Sequence, residues 1–170
     1  MRNEEGRNVR EKVLYYFQPV LATAKSYKAF TQSDGQYGEN GYLTNAESAD
    51  GTLPDGHEML IQKVGFFVRP KLGVSTIGLA DLSKLAHGTY SIKKGEDELK
   101  KGSLAEFFPS FAVSGTDLID SNQEFSTALL PLIQEEHWDT EKLSFEYWLP
   151  AGITVDTMEV AAVVKGIYES

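Results

Sequence analysis

Between residues 59 and 68 both alternating sets of positions are largely apolar. Leu60, Val64, Phe66 and Val68 share one set with Gln62; Met59, Ile61, Gly65 and Phe67 share the other with Lys63. A run rich in Val, Ile and Phe, closed by Pro54-Asp55-Gly56 in front and Pro70 behind, predicts a buried strand. Gly65 would weaken a helix centre but suits a bulge or a close approach in a strand.

The same period of two recurs along the chain. "KVLYYFQP" alternates Val13, Tyr15, Phe17 with Leu14, Tyr16, Gln18 and stops at Pro19. "GTYSIKKG" predicts a short strand closed by glycines. "KLSFEYWLP" alternates most cleanly, with Leu143, Phe145, Tyr147 and Leu149 inward and Trp148 in the outward set. The final run, "MEVAAVVKGIYE", is apolar on both faces and suits the middle of a packed sheet. One helix interrupts the series: "IGLADLSKLAHG" sets Leu79, Leu82 and Leu85-Ala86 at helical spacing between Gly78 and Gly88. "SLAEFF" adds a helical turn, with Ser103 and Glu106 at capping-box spacing. Polar loops separate these elements, the longest over residues 31–56, and no helix alternates with the strands. That excludes a doubly wound parallel sheet and predicts an all-β antiparallel sandwich or barrel.

Composition narrows the function classes. The chain has 170 residues, 41% hydrophobic and 24% charged, with no cysteine. It is long enough for one domain with a real core, and thiol and disulfide chemistry are excluded. No apolar run approaches a membrane span, and the N-terminus lacks the apolar stretch of a signal peptide. From residue 115 onward there are 11 acidic residues and 2 lysines, against 14 acidic and 14 basic residues before it. This acidic surface repels phosphates and argues against sequence-specific nucleic-acid binding. Arg2, Arg7, Arg10 and Lys12 alternate with Glu4, Glu5 and Glu11. Residues 1–11 are therefore expected to form a solvated N-terminal arm, with membrane contact as its alternative role, and residues 12–170 one domain.

Catalytic chemistry finds little support. His57-Glu58 begins an H-E-x-x-H zinc motif, but the second ligand position is Ile61. In a strand those positions lie about 13 Å apart, so the zincin geometry fails. His57, His87 and His137 stand in separate contexts, without the clustered His-x-His of a metal-binding cupin. Ser75 is not in a nucleophile elbow, and Gly35, Gly38 and Gly41 match no phosphate-binding fingerprint. Glu96-Asp97-Glu98 and Glu135-Glu136 read as solvated charge; Asp117, Asp120, Asn122 and Glu124 carry calcium-type oxygens without EF-hand spacing. No enzyme activity, cofactor or metal is expected. Tyr15, Tyr16, Tyr37, Tyr42, Trp138 and Trp148 exceed what one small core is expected to hold. Surface aromatics serve protein interfaces or sugar stacking. Tyr37, Tyr42, Trp138 and Trp148 are thus candidate interface residues, and the two non-enzyme classes are an assembly subunit and a carbohydrate-binding module.

The order of elements carries a resemblance. A strand ending "FQP" and a glycine-rich loop lead to "LPDGHEMLIQKVGFFV" and "GLADLSKLAHGTYSIKKGEDELKKGSLAEFFP". Then come "LLPLIQEE", "EKLSFEYWLP" and "MEVAAVVKGIYES". Over residues 13–170 this resembles the single-jelly-roll capsid proteins of tailless icosahedral bacteriophages with an internal membrane. The resemblance implies an eight-stranded jelly-roll sandwich and self-assembly around pseudo-sixfold capsomers. It implies other capsid proteins as partners, a virion location after synthesis in the host cytoplasm, and no catalytic residues. A spike or penton protein of the same fold is the alternative within that class. The residue 31–56 loop and the N-terminal arm are expected to contact neighbouring subunits rather than contribute to the core.

Overall fold

The computed structural model describes residues 6–21, 25–31, 44–46, 50–108, 118–120 and 129–170. The C-terminal run forms strand β10 (Met158–Glu169), buried without interruption over residues 158–164. A strand apolar on both faces needs neighbours on both edges, and β10 has them. It lies between β1 (Val9–Pro19) and β3 (Glu58–Pro70), with β8 (Leu130–Trp138) beyond β3, in an antiparallel sheet ordered β1-β10-β3-β8. The β1–β10 ladder runs unbroken from Val9↔Glu169 to Pro19↔Glu159. The β10–β3 ladder shifts register once, between Lys165 and Gly166. There Gly166 lies against the Leu60 carbonyl, and a Cβ would collide with that backbone. Only glycine permits this approach.

The second antiparallel sheet is ordered β2-β9-β5-β6, from β2 (Ser26–Ala29), β9 (Leu143–Trp148), β5 (Thr89–Lys94) and β6 (Asp97–Ser103). β4 (Thr76–Gly78), which pairs with β7 (Leu118–Asp120), leads directly into helix α1 (Leu79–Leu85). Leu82 and Leu85 anchor α1 in the core, as a seven-residue helix requires. The expected turn at "SLAEFF" is a 3-10 helix, Leu104–Phe107, in which Ser103 Oγ accepts from the Ala105 N–H. Among the described residues the architecture is thus an all-β antiparallel sandwich of two four-stranded sheets with one short helix.

Aromatic side chains pack against one another within the largely aliphatic core between the sheets. Phe66 of β3 meets Tyr147 of β9 edge-on at 5.1 Å and also faces Phe107. Tyr147 in turn stacks on Tyr27 at 5.1 Å, and Tyr90 packs on Phe107 at 4.8 Å. Such pairs add roughly 0.5–1.5 kcal/mol each beyond their buried area. The inward set expected for β9, Leu143, Phe145, Tyr147 and Leu149, is buried throughout.

Three expectations need correction. Trp138, expected at an interface, is a core residue, and Tyr16 is buried as well, while Trp148 stays partly exposed. The loop over residues 31–56 does contribute to the core: Thr44, Ala46 and Leu53 are buried. Its end is fastened by Gly51 N–H to the Phe30 carbonyl, Leu53 N–H to the Asp139 carbonyl and Leu143 N–H to the Gly51 carbonyl. Finally, β1 begins at Val9, inside the segment expected to be a free arm. Asn8 and Ser170 exchange backbone hydrogen bonds, and Arg7 pairs with Glu58 at 2.8 Å.

Candidate functional site

The half-formed zinc motif resolves into structural contacts. His57 Nδ1 lies 2.6 Å from the Tyr168 hydroxyl, while the adjacent Glu58 pairs with Arg7 and sits 3.9 Å from His137 Nδ1. Ile61 is in the core. Among the described residues, no three His, Cys, Asp or Glu side chains gather where they could hold a metal ion. Gly35, Gly38, Gly41, Asp117, Asn122 and Glu124 lie outside the described residues, and Asp120 is described only as backbone of β7.

The sequence-predicted interface residues separate. Tyr37 and Tyr42 lie outside the described residues. Trp138 ends β8 with 1% of its surface exposed. Its Nε1 donates to the Gly51 carbonyl at 2.8 Å, and its ring meets Phe30 edge-on. A side chain enclosed by its own subunit has little surface to offer another. Trp148 is 38% exposed on the outer face of the second sheet.

The two outer sheet faces differ in chemistry. On the first sheet, alternation turns Val13, Tyr15 and Phe17 of β1, Phe67 of β3 and Ile167 of β10 away from the core, around the buried Ala161 and Val163. Val13 is 39% exposed. An ion pair borders this apolar area. Glu159, 4% exposed, accepts from Arg69 Nε at 2.7 Å. The Arg69 guanidinium also stacks 3.6 Å from the Phe17 ring centre. Pairing and stacking together offset the cost of burying the carboxylate. Lys165 pairs with Glu11 at 2.8 Å at the other end.

The outer face of the second sheet is polar. Ser26 of β2 and Thr89 of β5 flank Trp148 of β9, and Lys28, Glu146 and Ser91, then Ser144 and Lys93, continue this face along the strands. Ion pairs link Lys28 to Glu146 and Lys101 to Glu98.

Sheet edges are treated unequally. Beside β1, Asn45 acts as a strand surrogate: its Nδ2 donates to the Val13 carbonyl and its Oδ1 accepts the Tyr15 N–H, both at 2.8 Å. Thr44 Oγ1 donates to the Tyr15 carbonyl. These bonds occupy backbone groups that an added strand would need. The β8 edge departs from β3 at a register shift and carries Ile133, 97% exposed, among acidic neighbours.

Four perturbed groups among the described residues are structural. Burial raises the Tyr27 pKa, against a lowering hydrogen bond from the Leu21 N–H. Burial raises the Tyr90 pKa, and the Glu106 carboxylate that its hydroxyl contacts adds to the effect. Burial alone would raise that of Asp81, but hydrogen bonds from Thr154 and Lys84 outweigh it and hold the carboxyl below its ordinary value. Lys142 lowers that of Asp50 by hydrogen bonding and charge. Among the described residues, none of these groups converges with a nucleophile and a cleft. The apolar outer face escaped sequence reasoning, although the two-sided apolarity of β10 was its available signal. Comparison of the sequence with protein-family models and with curated proteins returned no match.

Proposed function

We propose that the chain is a structural, non-catalytic subunit of an icosahedral viral shell, built as an eight-stranded jelly roll. In this reading it assembles with copies of itself and with other capsid proteins, and its location is the virion. The strand order carries the proposal. With the short β4–β7 pair set aside, β1, β3, β8 and β10 form one sheet while β2, β5, β6 and β9 form the other. The chain crosses repeatedly between two sheets, which supports a double Greek key, an architecture shared by capsid and lectin domains.

The apolar outer face favours assembly within that architecture. Partly exposed aromatic and aliphatic side chains, rimmed by the Arg69–Glu159 and Lys165–Glu11 pairs, match the apolar core and polar rim of a protein interface. Because Asn45 blocks the adjoining β1 edge, neighbours would meet this face rather than extend the sheet. Many modest contacts suffice when each subunit has several neighbours and the assembly closes.

The test is Val13→Asp, which puts a charge on the apolar face at a partly exposed position. It is expected to abolish large assemblies, read by light scattering and negative-stain microscopy, while shifting the urea midpoint by less than ~0.5 kcal/mol equivalent. Undiminished assembly of this variant would remove the face from the interface. Truncation for the arm's role should stop at residue 6, because removing residues 1–10 would also remove the first rungs of the β1–β10 ladder.

A further inference from the structure

On the outer face of the second sheet, Trp148 stands at a shallow depression of about 650 Å³ lined also by Thr89, Ser91, Lys93, Glu98 and Lys101. That volume falls within the roughly 300–1,000 Å³ of small-ligand sites. Four observations bear on what fits there. The indole is 38% exposed, an aromatic surface turned outward from a strand whose inward residues are all buried. Its cross-strand neighbours on the same face are Ser26 and Thr89, both hydroxyl-bearing. Ser91 Oγ, on the depression's lining, is buried yet has no hydrogen-bond partner among the described residues. A buried hydroxyl in that condition is destabilising until something pairs with it. Its neighbours across the strands are Glu146, which also accepts from Ser144 Oγ, and Lys101.

Charge is the fourth observation. Lys28 pairs with Glu146 and Lys101 with Glu98. Lys93 is exposed and has no ion pair among the described residues, in a chain of net charge -9. The depression therefore holds, along one face, the Trp148 indole, the unpaired Ser91 hydroxyl and, at its far end opposite Glu98, the Lys93 ammonium.

We infer that this face is a binding site for an acidic saccharide, a sugar chain bearing carboxylates. The apolar C–H face of a sugar ring would stack on the indole, its hydroxyls would pair with Thr89 and Ser91, and its carboxylate would meet Lys93. A protein partner is the poorer fit. Protein interface cores are depleted in charged residues and serine, and those residue types make up most of this face. The inference does not require the chain to assemble, since the site lies on the sheet opposite the apolar face.

The test uses full-length protein and two probes: glucuronate-containing hyaluronan oligosaccharides and neutral maltoheptaose. Binding is read by calorimetry and by acrylamide quenching of tryptophan fluorescence, in which buried Trp138 supplies a protected background. The expected result is saturable hyaluronan binding that shields Trp148, weakens with salt and is at least tenfold tighter than that of maltoheptaose. Trp148→Ala should weaken it at least tenfold and Lys93→Gln about threefold to tenfold. Trp148→Phe, which keeps an aromatic surface, should retain most of it. Circular dichroism checks that each variant is folded. Absence of saturable binding, binding indifferent to Trp148→Ala, or equal affinity for the neutral probe would each overturn the inference. Loss of self-association on Trp148→Ala without any saccharide binding would make this face a contact between copies instead.

Discussion

Replacing Trp138 with alanine separates a core tryptophan from an interface one. The side chain is 1% exposed, donates to the Gly51 carbonyl at 2.8 Å and meets Phe30 at 5.7 Å. Truncating a buried Trp or Phe to Ala typically costs about 3–5 kcal/mol. The hydrogen bond adds only about 1 kcal/mol, because the Gly51 carbonyl keeps a second donor in the Leu143 N–H and is not left unpaired. Trp138→Ala should therefore lose about 4 kcal/mol, a large share of the roughly 5–15 kcal/mol stability of a domain. Trp138→Phe keeps a ring but not the donor and should lose about 1–2 kcal/mol. The assay is urea unfolding followed by far-ultraviolet circular dichroism at dilute concentration, where association does not contribute. Unchanged m-values would show that the variants alter stability rather than compactness. Trp148→Ala is the companion, expected to cost less than about 1 kcal/mol. Should Trp138→Ala cost under 1 kcal/mol while abolishing assembly, the residue would be an interface residue and the packing argument would fail.

Other consequences are as direct. Gly166→Ala drives a methyl into the Leu60 carbonyl at the β10 bulge; it should destabilise by about 2 kcal/mol or more, measured from the urea midpoint. Asn45→Ala removes both bonds to the β1 edge. It should cost about 1–2 kcal/mol and raise the thioflavin-positive aggregation rate through the freed edge. The Asp81 carboxyl is held below its ordinary 3.8. Its ionised form therefore stabilises the fold above that value, and the contribution fades as pH falls through the lowered one. Asp81→Asn should cost about 1.5 kcal/mol at pH 7, and the difference from wild type should shrink toward pH 2.5; a pH-independent difference would contradict this.

The parts of the fold legible from sequence are those with a local period. β9 alternates cleanly because one face meets the core and the other meets solvent. β10 reads as an inner strand because both its faces are covered. α1 is announced by leucines at helical spacing between glycines. Trp138 was not legible, because its environment is made by Gly51 and Phe30, brought together from distant parts of the chain. The acidic run before it hides a strand whose buried positions are few. β6, "DELKKGS", is an edge strand whose charges obscure alternation. The contribution of Ala46 and Leu53 to the core was masked by polar neighbours in sequence. The half-motif at His57 lacks zincin geometry because it leads into a strand, and the partner of that histidine, Tyr168, comes from the other end of the chain and has no local signal.

The most direct test of the proposed role is the native mass of the purified protein. Light scattering should be run across concentration and salt, with negative-stain microscopy of the heaviest fractions. An assembly subunit is expected to grow with concentration into rings, sheets or closed shells. A protein that stays monomeric at every concentration, including when mixed with its candidate partner capsid proteins, would contradict the account.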